Sequence, residues 1–178
     1  MRDVNLLEIA KDIVDERKPE ILKLLGIPSF QTGISEAPTP YIYLLHDDIK
    51  FTDQIPEPRM LIAEFGLTML DGCCGVVVSH HVKVAQRYCA KGLGQLLLDI
   101  RQRAILRAGY TVMMATSIND NFVENHLLEK NGFKPMNDFV NNRTTNKVIM
   151  WQKNLRAPVQ TVNDAFTINV NEVKLVEG

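Results

Sequence analysis

Two closely spaced glycines follow a short apolar segment near the middle of the chain, in a position typical of phosphate-binding turns. Residues 75–84 (GVVVSHHVKV) read as a strand, Gly92 and Gly94 come next, and a helix is predicted over 92–108. Backbone N–H groups of such a turn and of the helix N-terminus can point at one phosphate, and the helix dipole adds to the attraction. A tight connection that binds nothing would show the same spacing, so the glycines alone leave both interpretations open.

Two well-known phosphate-binding patterns do not fit this turn. A Rossmann fingerprint requires a third glycine where the chain has Leu97, and an acidic residue about 20 positions further on at the end of a second strand. A P-loop requires a Gly-Lys-Ser/Thr sequence, which the chain does not contain. The sequence therefore argues against both of these nucleotide-binding motifs.

Composition and charge limit the class of protein. With 178 residues, of which 46% are hydrophobic and 23% charged, the chain is expected to form one globular domain. A net charge of −1 gives no overall field that attracts nucleic acid or an anionic membrane, and the apolar runs are too short to span a bilayer. Acidic residues interrupt 1–18 too often for a signal peptide.

The three cysteines, Cys73, Cys74 and Cys89, fit neither a disulfide framework nor a zinc site. We therefore expect reduced thiols, no metal and a cytoplasmic protein.

The elements of the first third of the chain follow from periodicity and from proline. An amphipathic helix is predicted over 3–16 with Asp3 as its N-cap, and a second short helix (EILKLLG) ends at Gly26. Five prolines fall within 27–58, which we interpret as mostly loop around one strand at 41–45.

The remaining elements predict an α+β domain over 1–155 with a mixed sheet. A tail at 156–178 alternates in hydrophobicity, as an added edge strand would, so we expect either that strand and a homodimer or a disordered tail. The helix at 92–108 has an apolar face made of Leu93, Leu96, Leu97, Ile100, Ala104 and Leu106. The other predicted elements are strands at 59–70 and 73–84 joined by an Asp71-Gly72 hairpin turn, a strand at 110–117, a helix at 121–131, a turn-like segment at 137–145 and a strand at 145–155.

Two separate segments resemble one protein family. The stretch VKVAQRYCAKGLGQLLL resembles the acyl-CoA-binding turn of the GNAT superfamily of N-acyltransferases, written Arg/Gln-x-x-Gly-x-Gly/Ala after a strand, with Val84 and Tyr88 in the expected places. Residues 121–133 (NFVENHLLEKNGF) resemble the family's Asn-x-x-Ala-x-x-Leu-Tyr-Glu-Lys-x-Gly-Phe helix and turn. The positions that match in this second segment are Asn121, Leu127, Glu129, Lys130, Gly132 and Phe133. The resemblance covers about 60–155.

The resemblance implies a GNAT-like fold with a mostly antiparallel sheet and one parallel strand pair that splays apart, often at a β-bulge. The pantetheine arm of acetyl-CoA would lie between the splayed strands and pair with the backbone near Val82 and Val84. Asn121 would hydrogen-bond the arm from the other wall, and Lys91 and Arg87 are either phosphate contacts or solvated charges. The pyrophosphate would rest on the backbone of Cys89, Ala90, Lys91, Gly92, Leu93, Gly94 and Gln95.

The same resemblance implies direct transfer from a thioester to an amine, which is helped by a general base. We predict His80 as this base, because some family members carry a strand histidine there and an imidazole has an ordinary pKa of about 6.5. Strand alternation predicts that His80 shares a face with Val82 and Val84 and that His81 points the other way. Glu64 is the alternative base. A structural histidine and a sheet-face carboxylate are the alternative interpretations of these two residues.

The sequence departs from the family at the proton donor for the leaving thiolate. The family's tyrosine is Leu128 here, so Ser117, or a water held by His126, is the candidate acid. Cys89 replaces the usual Arg/Gln, which predicts weaker binding of the coenzyme.

Two functions remain open on these residues. The first is an N-acyltransferase that uses acetyl-CoA on a primary amine of a small molecule or a protein, with His46, Asp47 and Asp48 lining the acceptor side. The alternative is a catalytically degenerate GNAT scaffold that binds acyl-CoA or serves a structural role. Nucleic-acid binding is disfavoured by the balanced charge.

Overall fold

The computed structural model describes residues 5–47 and 60–156, which form a seven-stranded sheet and four α-helices. In chain order the elements are α1 (Leu6–Glu16), α2 (Lys18–Leu25), β1 (Phe30–Ile34), β2 (Ile42–His46), β3 (Leu61–Met69), β4 (Val76–Val84), a 3-10 turn (Gln86–Tyr88), α3 (Leu93–Arg107), β5 (Val112–Ile118), α4 (Phe122–Lys130), β6 (Lys134–Val140) and β7 (Lys147–Asn154). The strands lie in the order β1-β2-β3-β4-β5-β7-β6. Only β4 and β5 pair in parallel. The predicted α+β class, with a mostly antiparallel sheet and one parallel pair, is confirmed.

Helices α1 and α3 pack against each other and contribute to one core with the sheet. Asn5 caps α1, since its side chain accepts a hydrogen bond from the Glu8 backbone N–H at 3.4 Å. The predicted cap, Asp3, lies outside the described residues. Gly26 ends α2 in the left-handed region at φ 68°, as predicted. None of the described helices combines the length and apolar character needed to cross a bilayer. The buried stripe of α1 is Leu6, Leu7, Ala10, Ile13 and Val14.

The interpretation of 27–58 as mostly loop is wrong for its first part, where β1 and β2 form an antiparallel pair at the edge of the sheet. The pairing of β1 with β2 depends on a contact between the two strands, which hydrophobic periodicity along either segment does not predict. Gly33 lies opposite Tyr43, and the tyrosine ring covers it so closely that a Cβ on Gly33 would stand 2.3 Å from Oη. The predicted strand at 41–45 is confirmed as β2.

The interpretation of 137–145 as turn-like is wrong at its start, because β6 continues to Val140. Pairing with β7 overrides the poor strand propensity of the Asn137-Asp138 dipeptide. Asp138 also forms an ion pair with Lys147 of β7 at 2.6 Å. The predicted tail strand lies outside the described residues apart from Arg156.

Candidate active site

The parallel strands β4 and β5 separate part-way along their length. They pair over four positions, from Val76 opposite Val112 to Ser79 opposite Ala115. Beyond Ser79, β4 continues to Val84 without a β5 partner, so this side of its backbone is open to an extended ligand, and Val84 O accepts a weak contact from the Cys89 thiol at 3.8 Å. The predicted splay of the two strands is thereby confirmed.

A β-bulge lies in β4 just beyond the point of separation. Lys83 pairs with Glu64 of β3 and His80 pairs with Gly66, so two residues of β4 stand opposite a single residue of β3. His81, inside the bulge, has a φ of 51°, which non-glycine residues rarely adopt. Glu64 and Gly66 lie on one face of β3, and their partners His80 and Lys83 therefore share that face.

The bulge overturns the facing predicted for the histidines. Val82 and Val84 pack against the hydrophobic core, whereas His80 lies over Gly66 on the opposite face of the sheet. The ring of His81 contacts that of His80 at a centroid distance of 4.9 Å instead of pointing away from it. The predicted alternation fails because a bulge adds one residue and shifts the period of the strand.

The two histidines form a hydrogen-bonded pair. Nδ1 of His80 lies 2.7 Å from Nδ1 of His81, and Nε2 of His80 lies 2.7 Å from Oγ1 of Thr68. His81 also stacks on Tyr41 at 5.3 Å between centroids. Since one Nδ1 must accept while the other donates, the pair cannot hold both imidazoles protonated in this geometry.

Burial lowers the pKa of His80 below its ordinary value, and the charge of His81 lowers it further. His80 is therefore held neutral, which is the form that accepts a proton. Gly66 makes room for this ring, since a Cβ there would stand 2.1 Å from Cε1 of His80. Glu64, the other predicted base, is partly buried on the same face, opposite Tyr43 of β2.

The glycine turn leads directly into α3. Gly92 is the residue before the helix and has a φ of 88°, and Ala90 has a φ of 62°. Among the described residues no side chain caps the first turn of α3, so its N–H groups remain available to an anion. A Cβ on Gly94 would meet Leu127 at 3.7 Å, an ordinary contact, so only Gly92 is required to be glycine by backbone conformation.

Both cations near the turn are drawn towards Tyr88. Lys91 and Arg87 lie over its ring at 5.5 Å and 5.2 Å, and Nζ of Lys91 also donates to Leu25 O at 3.4 Å. The Tyr88 hydroxyl lies 2.6 Å from Nε2 of His46. These contacts hold both cations next to the turn. Cys89 is exposed there, as a free thiol.

The end of helix α4 lies beside the start of α3. Gln95 at the start of α3 exchanges hydrogen bonds with Asn131 at the end of α4, at 2.8 Å and 2.9 Å. Asn121 caps α4: its Oδ1 accepts from the Glu124 N–H at 3.2 Å, and its Nδ2 donates to Oε2 of the same residue at 3.0 Å. The hydrogen bonds of Asn131 thus join the end of α4 to the start of α3, whereas those of Asn121 stay within α4.

The same arrangement of strands and helices occurs in solved acetyltransferases. The Ard1 protein of Thermoplasma volcanium superposes with a TM-score of 0.54 at 12% identity, covering 85% of this chain and 93% of its own. The ribosomal-protein-S18-alanine N-acetyltransferase of Escherichia coli gives 0.51 at 12% identity, covering 88% and 92%. A Salmonella typhimurium protein, named as an acetyltransferase and solved with its cofactor acetyl-CoA, gives 0.50 at 20% identity, covering 80% and 74%. The chain has the GNAT fold. No family model and no curated protein matches the sequence.

Within this GNAT fold, the predicted proton donor Ser117 is already engaged. It is buried at the end of β5, where Oγ accepts from Nε1 of Trp151 at 2.7 Å and donates to Oδ1 of Asn125 at 2.5 Å. Leu128, at the position of the family's tyrosine, is 2% exposed and belongs to the core. His126, the residue predicted to hold a water, is exposed. The hydroxyl of Ser117 therefore serves a structural network in this arrangement.

Arg101 is a residue of this region that the sequence analysis missed. It lies on α3 with only 3% of its surface exposed, and its Nη1 donates to Oγ of Ser79 at 2.7 Å. Burial lowers its pKa to about 10, an effect that the charge of Glu124 opposes, and burial also raises the pKa of Glu124. The sequence feature that could have identified Arg101 is its position one turn after Leu97, within the predicted apolar stripe of the helix. Leu106, assigned to that stripe, is instead 37% exposed.

The described residues contain no group of three His, Cys, Asp or Glu side chains arranged to hold a metal ion.

Proposed function

We propose that this protein is an N-acetyltransferase that transfers the acetyl group of acetyl-CoA to a primary amine. One observation carries the proposal: the gap between β4 and β5 opens at Ser79, and the unpaired backbone of β4 leads from there to the uncapped N-terminus of α3. A thioester on an extended amide-bearing arm, with a pyrophosphate at its other end, matches this sequence of groups.

The coenzyme contacts follow from this placement. The pantetheine arm pairs with the β4 backbone near Val82 and Val84, and Asn121 donates to it from α4 with its second amide hydrogen. The Salmonella relative with bound acetyl-CoA, which has the same fold, supports this cofactor. The pyrophosphate accepts hydrogen bonds from the backbone of the turn formed by Cys89, Ala90, Lys91, Gly92, Leu93, Gly94 and Gln95.

The acceptor amine approaches from the face of the sheet that carries His80. Neutral His80, whose Nε2 exchanges its contact with Thr68 for the amine, removes the amine proton as the nitrogen attacks the thioester carbon. A backbone N–H near Val82 stabilises the oxyanion. Glu64, on the same face, is the alternative base through a water. We propose no narrower acceptor than a primary amine of a small molecule or a protein. The homodimer and the cytoplasmic location stay predictions.

A second candidate function is a GNAT scaffold that binds acyl-CoA without turnover. It is favoured by the burial of Leu128 in the core and by the engagement of the Ser117 hydroxyl, since neither side chain offers a proton to the leaving thiolate.

The decisive experiment separates binding from turnover. Calorimetry measures acetyl-CoA binding to the native protein and to Gly92→Trp, which should abolish binding by filling the turn. Gly109→Trp is the matched control, because Gly109 ends α3 at its far end with a φ of 89° and open space around it. Release of free thiol is then followed with a panel of amines, and His80→Ala should lower its rate by about 10²–10⁴-fold.

Each result has a defined meaning. Binding without release by any amine favours the degenerate scaffold. Absence of acetyl-CoA binding by the native protein overturns both functions. If His80→Ala leaves the rate of thiol release unchanged, His80 is not the base and Glu64 becomes the candidate.

A further inference from the structure

We propose that Arg101 donates a hydrogen bond to the sulfur of the coenzyme and stabilises the thiolate that leaves during transfer. The inference rests on the proposed function and names the group that replaces the family's tyrosine.

The first support is the position of Arg101. Its partner Ser79 is the last β4 residue that pairs with β5, so the guanidinium lies where the gap between the strands begins. Arg101 follows Leu93, the first residue of α3, by eight positions, or about 12 Å along the helix axis. An extended pantetheine arm whose pyrophosphate sits at the helix N-terminus therefore brings its sulfur to the neighbourhood of Arg101.

The second support is the unused hydrogen-bonding capacity of this side chain. A guanidinium presents a fork of N–H donors, and those of Arg101 reach two partners, Leu97 O at 3.1 Å and Ser79 Oγ at 2.7 Å. In the described part of the chain, Thr32 Oγ1 is the only fully buried side-chain polar atom without a partner. Nη2 of Arg101 has no partner among the described residues and is not in this fully buried set, so this atom keeps some contact with solvent although the residue as a whole is 3% exposed.

The third support is the lack of a close counter-ion. No carboxylate of residues 5–47 or 60–156 forms an ion pair with Arg101. Glu124 is the described titratable group whose charge acts on it, and that carboxylate accepts from Asn121 instead. A buried cation without a close anion is costly, so a negative charge formed next to it is strongly favoured.

The transfer step balances without a proton from the protein. The amine nitrogen forms a bond to the thioester carbon, and its proton passes to His80. The carbon–sulfur bond breaks, the electron pair goes to sulfur, and the thiolate leaves bound to the N–H groups of Arg101. Solvent protonates the thiolate after release. A leucine at position 128 is then compatible with turnover, because electrostatic stabilisation replaces general acid catalysis.

The test measures the thiol of bound coenzyme A and needs no knowledge of the acceptor. Ultraviolet absorbance of the thiolate is titrated with pH for free coenzyme A, for the native complex and for the complex of Arg101→Met. The titration of each protein without coenzyme is subtracted, because Cys73, Cys74 and Cys89 are free thiols. Methionine fills a similar space and removes the buried charge, although Ser79 Oγ then loses the donor that Arg101 supplies. We expect the thiol in the native complex to ionise at least one pH unit below the free coenzyme, and Arg101→Met to return it to within a few tenths of a unit of the free value.

Two controls isolate the effect. Arg103→Gln removes an exposed arginine from the same helix and should leave the titration unchanged. Arg101→Lys keeps a cation and should retain part of the shift. Coenzyme A that binds with an unshifted thiol, or with the same shift in Arg101→Met, overturns the inference and leaves the proposed function intact. Coenzyme A that does not bind overturns the proposed function itself.

Discussion

Replacement of Gly66 by alanine tests whether the position of the His80 imidazole controls catalysis. The added methyl would stand 2.1 Å from Cε1, 2.5 Å from Nδ1 and 2.8 Å from Nε2 of His80, so the ring must leave its place. The displacement breaks the contacts of His80 with Thr68 and His81. Overpacking of this kind costs about 1–3 kcal/mol, and loss of a positioned base lowers the rate by about 10²-fold or more.

The pH dependence supplies a second readout of the same change. The proposed base His80 accepts a proton only when it is neutral, and its lowered pKa favours the neutral form to lower pH. The acid limb of kcat/KM in the native protein therefore lies below about 6.5, the ordinary value for histidine. A ring expelled into water regains its ordinary pKa, so Gly66→Ala should move the residual activity's acid limb upward.

Gly33→Ala is the matched control for this experiment. Its methyl would stand 2.3 Å from Oη of Tyr43, which imposes a comparable strain on the same sheet without touching His80. Thiol release with the best amine and urea unfolding are measured for both variants. A folded Gly66→Ala that keeps kcat/KM within twofold of the native protein, or a Gly33→Ala that loses as much activity as Gly66→Ala, would refute the role of His80 as a positioned base.

Three further predictions follow from individual contacts. Ser117→Ala leaves Nε1 of Trp151 without a partner and should lower the free energy of unfolding in urea by about 1–3 kcal/mol; a fall in kcat larger than tenfold would instead identify Ser117 as the acid. Gly94→Ala should raise the free energy of unfolding by about 0.5–1 kcal/mol, because alanine favours the helix and its methyl makes only an ordinary contact. Its acetyl-CoA affinity in calorimetry should stay within twofold of the native value, and a tenfold loss would show that the coenzyme contacts the added methyl. Thr68→Val removes the partner of Nε2 of His80 and should shift the acid limb of the pH profile; an unchanged limb would show that Thr68 does not tune the base.

Several elements could be predicted because local sequence is sufficient to specify them. The apolar stripe of α1, the left-handed end of α2 at Gly26 and the glycine turn before α3 each depend on a few consecutive residues. The Asp71-Gly72 signal likewise identified the hairpin between β3 and β4, where Gly72 has a φ of 76°. The two family-like segments then predicted the splayed strand pair and the GNAT fold.

Other features depend on contacts between distant parts of the chain. Strand β1 contains a glycine and shows no clear alternation, and the Tyr43 ring covers Gly33 from the neighbouring strand. Ser117 donates a hydrogen bond to Asn125 and accepts one from Trp151, and both bonds need β7 and α4 to meet at the end of β5. Position along the chain carries no information about either contact.

The sequence by itself determined a glycine turn between a strand that carries His80 and a helix that follows. Only the tertiary structure decided which way those groups face. The extra residue in β4 shifted the alternation and brought His80 and His81 together, and the packing of α3 buried Arg101 at the opening of the strand gap. The physical reason is that a bulge and a buried charge are both settled by cross-strand pairing and helix packing, which join residues far apart in sequence.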